Sequence, residues 1–283
     1  MGKMHDALKK AQQARHGGGS VEVAGPAEPA PAERPVAPAP PAAAERPTAV
    51  TIAPSFRGDV DPHLVSLVDP HGAHAEQYRT LRTNLLAAMP DKQVQVVVIT
   101  SSMPREGKSF SSAKLACAMA EDPERKIELV DADLRKPTQH KLLGLDNQRG
   151  LSDYLTGGTM LEMVLQRCRL PNLWVMPAGR MPPNPSELLG SKRMDDLLTR
   201  LRRDYDFVVI DMPPVNATTD PGVLVPRVDG AVLVVRMNQT PREAARRAIE
   251  QLHKARGTVL GLLLTALEGD VKDYYYHYPR KTG

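Results

Sequence analysis

Residues 95–120 read QVVVIT-SSMPREGKS-FSSAKLACAMA, an apolar run, a short polar loop and a stretch of small residues. Gln95 to Thr100 is apolar and β-branched, as suits a strand buried on both faces. Lys108 to Ala120 reads as a helix. Strand, tight loop and helix N-terminus together form the context of a phosphate site, because the first helical N–H groups are unpaired and the dipole favours an anion. In such a loop Lys108 reaches the β- and γ-phosphates and the Ser109 hydroxyl takes Mg²⁺. Gly107 leaves room for the backbone beside the lysine. The cradle therefore comprises Met103, Pro104, Arg105, Glu106, Gly107, Lys108, Ser109 and Phe110. The full pattern also wants glycine at position 102, which is Ser102 here.

Two carboxylate signals follow. In IELVDADLR, Asp131 and Asp133 come just after an apolar run (Ile127 to Val130) whose strand is expected beside the first. In FVVIDMPP, Asp211 ends another run. Carboxylates at strand C-termini face the crevice where open α/β sheets bind ligands. Asp211 suits the Mg²⁺-supporting position of a Walker B aspartate. Each pattern alone is common; the ordered set of GKS, D-x-D and apolar-run-D specifies nucleotide binding. Further short runs occur at Leu173 to Met176, Ala231 to Val235 and Val259 to Leu264. Helical stretches occur at His74 to Met89, Ser186 to Arg203 and Pro241 to Arg256. Such alternation predicts an α/β fold, a mostly parallel sheet with helices on both faces.

Outside that domain the composition changes. Many of the 26 prolines fall between Gly17 and Pro54, in stretches such as AGPAEPAPAERP. Such a segment buries too little surface to offset chain entropy, so residues 17–60 read as a disordered linker. Before it, residues 1–16 form a short basic amphipathic pattern, with Met4, Leu8 and Ala11 opposite Lys9, Lys10 and Arg15. Docking on a partner or membrane and a solvated, half-formed helix are both open for it. The expected divisions are thus 1–16, 17–60, a domain over 61–268 and a tail over 269–283. Two cysteines, Cys117 and Cys168, are too few for a disulfide scaffold and fit a reducing compartment. The formal charge of +4 gives no reason to expect nucleic-acid binding. No run reaches the ~18–20 apolar residues of a membrane span, so a cytoplasmic protein is expected.

Over about residues 61–271 the chain resembles the bacterial tyrosine autokinases (BY-kinases) of polysaccharide synthesis and export. Three features carry the resemblance. The stretch from Ile127 to Arg135 matches that family's Walker A′ motif, apolar residues followed by D-x-D-x-R. Glu76, Arg79 and Arg82, within AEQYRTLRTNL, match its E-x-x-R-x-x-R helix. The tail GDVKDYYYHYPRKTG holds Tyr274, Tyr275, Tyr276 and Tyr278, four of only seven tyrosines. The resemblance implies ATP and Mg²⁺ as cofactors and transfer of the γ-phosphoryl to the tail tyrosines of a neighbouring subunit. It makes Lys108, Asp131, Asp133 and Asp211 the catalytic set, with Asp131 the candidate to accept the phenol proton or orient its hydroxyl and Asp133 the alternative. Ser109, Asp133 and Asp211 support the metal. Glu76, Arg79 and Arg82 build the interface of a ring-shaped homo-oligomer. A separate transmembrane chain-length-determinant type protein recruits and activates the kinase at the inner membrane face, and a tyrosine phosphatase resets it.

Three positions depart from the pattern. Arg105 stands where the loop usually has glycine. Met212 replaces a hydroxyl residue after Asp211. Thr265 replaces an asparagine that helps recognise the base. These departures keep a catalytically weak scaffold open as an alternative. A MinD/ParA-like ATPase is the other rival, although Met103 takes the place of the lysine those proteins share.

Overall fold

The computed structural model describes residues 60, 61, 64, 73–89 and 93–266. The expected N-terminal helix, nearly all of the linker and the tyrosine tail lie outside the described residues. Seven strands form one sheet: β1 Val96–Ser101, β2 Ile127–Asp131, β3 Gln166–Arg167, β4 Leu173–Met176, β5 Phe207–Asp211, β6 Gly230–Arg236 and β7 Val259–Thr265. The helices are α1 Ala73–Leu86, α2 Lys108–Met119, α3 Gln139–Leu142, α4 Leu151–Leu155, α5 Pro185–Leu189, α6 Lys192–Asp204, α7 Asp220–Leu224 and α8 Arg242–Lys254. The strand order is β3-β4-β2-β5-β1-β6-β7. Every pairing is parallel except β3 with β4. The short β3 carries no alternation that its sequence could announce.

β1, β2 and β5 are buried along their whole length, as continuous apolar runs require when both faces are covered. Alternate residues serve opposite cores. Val97, Ile99, Leu129 and Val209 pack beneath α1, α2 and α3, where Leu85, Leu115, Met119 and Leu142 are buried. Val96, Val98, Val130 and Ile210 face α6 and α8, contributing Leu197, Leu201, Ala248 and Leu252. Glu128 interrupts that second face; it is completely buried.

Two expectations need correction. β2 does not adjoin β1, because β5 lies between them, pairing with both. Asp131 therefore stands in register with Asp211 on the neighbouring strand. The helix expected over Ser186 to Arg203 is two helices. α5 ends at Gly190, and Ser191 caps α6 by accepting a hydrogen bond from Met194 N at 3.3 Å. A serine cap satisfies an orphan donor of the first turn and so favours a new start. Among the described residues no helix is long and apolar enough to cross a membrane.

Candidate nucleotide and phosphoryl-transfer site

The loop between β1 and α2 lies at the C-terminal edge of the sheet, where Lys108 is the first helical residue. Ser102, at the position usually held by glycine, does not adopt a positive φ, so a side chain is tolerated there. Arg105 does adopt one, at +67°, and Gly107 follows at +96°. The glycine usually found at 105 thus meets a backbone need that Arg105 meets at a cost. Glu106 is 4% exposed and braces the loop from within. Its carboxylate accepts the Met103 N–H at 2.9 Å and the Thr240 hydroxyl. From outside the loop, Arg236 Nη1 donates to the Arg105 carbonyl at 3.2 Å, and Thr265 Oγ1 donates to the Glu106 carbonyl at 2.7 Å.

The three predicted carboxylates converge on this loop. Lys108 Nζ lies 2.8 Å from Asp133 Oδ2, 3.5 Å from Asp211 Oδ1 and 3.1 Å from Ser109 Oγ. Burial works against the ammonium, but Asp211 and Asp133 outweigh it, and its pKa lies above the ordinary lysine value. Asp131 is engaged differently. Its Oδ1 accepts Asp133 N at 3.2 Å, and its Oδ2 accepts Thr138 N and Gln139 N, both at 2.9 Å. Burial, reinforced by Asp211, pushes the Asp131 carboxyl up to about 7. Gln139, which carries no motif, bridges the set; its Nε2 donates to Asp211 Oδ2 at 2.8 Å and to the Ser109 carbonyl at 3.0 Å.

The donor set fits Mg²⁺. Asp211 Oδ1 is buried and has no hydrogen-bond partner. Together with Ser109 Oγ and Asp133 it offers hard oxygen ligands around the Lys108 ammonium. Mg²⁺ takes one or two carboxylates and fills its octahedron with water and substrate phosphate. Alongside the loop, a cavity of about 460 Å³ is lined by Tyr78, Gly107, Phe110, Lys114, Leu264 and Thr265.

Other predicted residues have unexpected neighbours. Arg135, the arginine of D-x-D-x-R, is engaged outside the loop. It pairs with the fully buried Asp220 at 2.8 Å and 3.1 Å, and Asp220 also accepts the Ser186 hydroxyl. Met212 is wholly buried in the core, among the residues that pack under α6 and α8. Arg79 bonds Glu76 at 3.0 Å, but also Glu121 through two nitrogens at 2.8 and 2.9 Å. Arg82 Nη1 donates to the Ala118 carbonyl at 2.6 Å. The two arginines thus fasten α1 to the C-terminal end of α2, a contact 36 to 42 residues distant that local spacing does not announce. Cys117 and Cys168 are both buried, and they form no disulfide. Tyr274, Tyr275, Tyr276 and Tyr278 lie outside the described residues.

Comparison with known proteins agrees with this geometry. Residues 92–266 match the model of a ParA family described as the NUBPL iron-transfer P-loop NTPase. The tyrosine-protein kinase YwqD of Bacillus subtilis is 37% identical over 219 residues, covering 77% of this chain and 92% of that protein. The kinase domain of the Escherichia coli tyrosine kinase ETK superposes with a TM-score of 0.71 at 32% identity, covering 76% of this chain and 84% of that domain. The septum-site-determining protein MinD of Pyrococcus horikoshii, solved with Mg-ADP, shares the fold at a TM-score of 0.52 and 24% identity. A phosphate loop backed by two aspartate-bearing strands, in a chain more than a third identical to a tyrosine kinase along nearly all of that kinase's length, places this protein in the bacterial tyrosine-protein kinase family, on the ParA-type P-loop NTPase fold.

Proposed function

We propose that this kinase transfers the γ-phosphoryl of ATP to Tyr274, Tyr275, Tyr276 and Tyr278 on a neighbouring copy of itself, and so sets the state of a polysaccharide-export assembly. The observation that carries the proposal is Lys108 held between Asp133 and Asp211 at the mouth of the loop. Phosphoryl transfer depends mainly on positioning and charge neutralisation, and these residues supply both. Lys108 and the N–H groups of Arg105 to Ser109 hold the phosphates. Ser109 would hold Mg²⁺, with Asp211 and Asp133 supporting it through water, and the ion when bound neutralises phosphate charge. The cavity beside Tyr78, Phe110 and Leu264 has room for the nucleoside.

Between the two aspartates, the contacts favour Asp133 for orienting the phenol. Both oxygens of Asp131 are committed to backbone N–H groups, so it shapes the turn from Asp133 to Gln139. Asp133 spends one oxygen on Lys136 N and the other on Lys108. Once phosphate engages the lysine, that second oxygen is released to the incoming hydroxyl. A phenol with a pKa near 10 needs a neighbouring carboxylate mainly for position.

On this reading α1 carries the interface of the ring. Glu76 is half exposed there, while Arg79 and Arg82 must share or leave Glu121 to meet another subunit. A transmembrane activator recruiting the kinase through residues 1–54, and a phosphatase reversing the tail modification, complete the reading. Phosphates on adjacent tyrosines add ~1.5–2 negative charges each at neutral pH, and their repulsion loosens the ring.

Mixing two variants tests transfer between copies. One carries Lys108→Met with an intact tail; the other carries all four tail tyrosines as Phe with an intact loop. Phosphotyrosine on the Lys108→Met copy is the expected result. ATP hydrolysis with no phosphotyrosine on either copy points instead to a MinD/ParA-like ATPase.

A further inference from the structure

The loop's outer half raises a question of orientation that the phosphate-binding residues do not answer by themselves. Arg105 and Gly107 both adopt positive φ, with Glu106 between them. Successive turns of this kind make a concave nest of N–H groups that binds anions. The nest works only while the intervening carbonyls stay outside it, since a carbonyl turned inward would meet the phosphate oxygens with like partial charge. The peptide unit is planar and trans, so the Glu106 carbonyl and the Gly107 N–H point to opposite sides. Fixing the carbonyl on one side therefore fixes the N–H on the other.

We propose that Thr265 is a positioning residue for the phosphate loop, its hydroxyl holding the Glu106 carbonyl outside the nest so that the Gly107 N–H faces the phosphates. Thr265 Oγ1 donates to that carbonyl at 2.7 Å, and Thr265 Cγ2 would lie only 3.5 Å from a Cβ built on Gly107, so the side chain packs directly on the turn. Thr265 is itself fixed, because its own carbonyl accepts Met237 N at 3.0 Å at the end of the β6–β7 ladder. Arg236, its partner across that ladder, treats the preceding carbonyl alike, donating to Arg105 O. The two C-terminal strand ends thus grip two consecutive carbonyls of one loop. This assigns Thr265 to the triphosphate end of the ligand rather than to the base. The assignment rests on nucleotide binding at the loop, and not on which hydroxyl accepts the phosphoryl group.

Titrating the full chain with a fluorescent ADP analogue and Mg²⁺ gives the affinity directly, and displacement by ATP, GTP and inorganic tripolyphosphate separates base from phosphate effects. Thr265→Val removes the donor at constant shape. It should weaken ATP, GTP and tripolyphosphate alike, by roughly 5–10-fold, the size of one lost net hydrogen bond. Thr265→Ser should return all three to within about 2-fold of the parent. The melting temperature without nucleotide should fall by no more than about 2–4 °C in Thr265→Val and stay close to the parent's in Thr265→Ser, while the rise on adding nucleotide shrinks only in Thr265→Val. Unchanged affinities in Thr265→Val overturn the proposal, as does a Ser variant as weak as the Val variant. A loss confined to ATP, with tripolyphosphate unaffected, also overturns it and returns Thr265 to base recognition. Failure of the parent chain to bind any of these ligands would remove the nucleotide reading of the site itself.

Discussion

Arg105 bears a left-handed backbone at +67° without being glycine. That conformation costs an L-residue about 1–2 kcal/mol, and glycine would return about 0.5–1 kcal/mol of it as chain entropy. Arg105→Gly should therefore stabilise the folded chain by roughly 0.5–1 kcal/mol, readable in denaturant melts. An unchanged midpoint would mean that side-chain contacts of Arg105 already offset the strain. Glu128 poses a sharper conflict. Neither carboxylate oxygen makes a hydrogen bond of normal geometry. Burial pushes its pKa well above the carboxylate range, although the Tyr205 phenol facing it works the other way. In the unfolded chain Glu128 ionises near the ordinary carboxylate pKa, whereas the folded protein keeps it protonated, so stability drains away as pH rises from there through the folded value. Glu128→Met should flatten that part of the pH–stability curve and add about 1–3 kcal/mol at neutral pH. A curve of parent slope would contradict this account.

Elements show which parts of the site sequence could reveal. The unit β1–loop–α2 was legible because everything that defines it is contiguous, from the apolar run to Gly107 and Lys108. Asp131, Asp133 and Asp211 were legible as strand-end carboxylates for the same reason. The order β2-β5-β1 was not, since which strand takes the middle depends on packing between segments about 80 residues apart. Gln139 escaped notice because a glutamine on a one-turn helix has no motif; only the fold brings its amide to Asp211. The Arg79–Glu121 bond was hidden in the same way, and the nearer Glu76 supplied a plausible partner three residues off. The break between α5 and α6 was readable in retrospect from Gly190-Ser191. Ser191→Ala should cost about 0.5–2 kcal/mol through loss of the cap. A loss below that range, seen by thermal melting, would show that packing of Met194, Leu197 and Leu201 alone starts α6.

At the scale of the whole molecule, the sheet gathers residues from five loops at one edge, and each strand supplies a distinct part. β1 leads to the phosphate loop, β2 and β5 bring the carboxylates, and the ends of β6 and β7 grip the loop from outside. β7 ends at Thr265, against the phosphate loop, and Tyr274, Tyr275, Tyr276 and Tyr278 follow it in the sequence. In the proposed function the tail is the substrate and Lys108 is the residue its phosphorylation depends on. Mass-spectrometric mapping of phosphotyrosine in the full chain incubated with ATP and Mg²⁺, beside the Lys108→Met variant, tests the claim most directly. The account predicts phosphate on the tail cluster of the parent and none on the variant. Phosphate absent from the tail of the parent, or present equally in both, would contradict it.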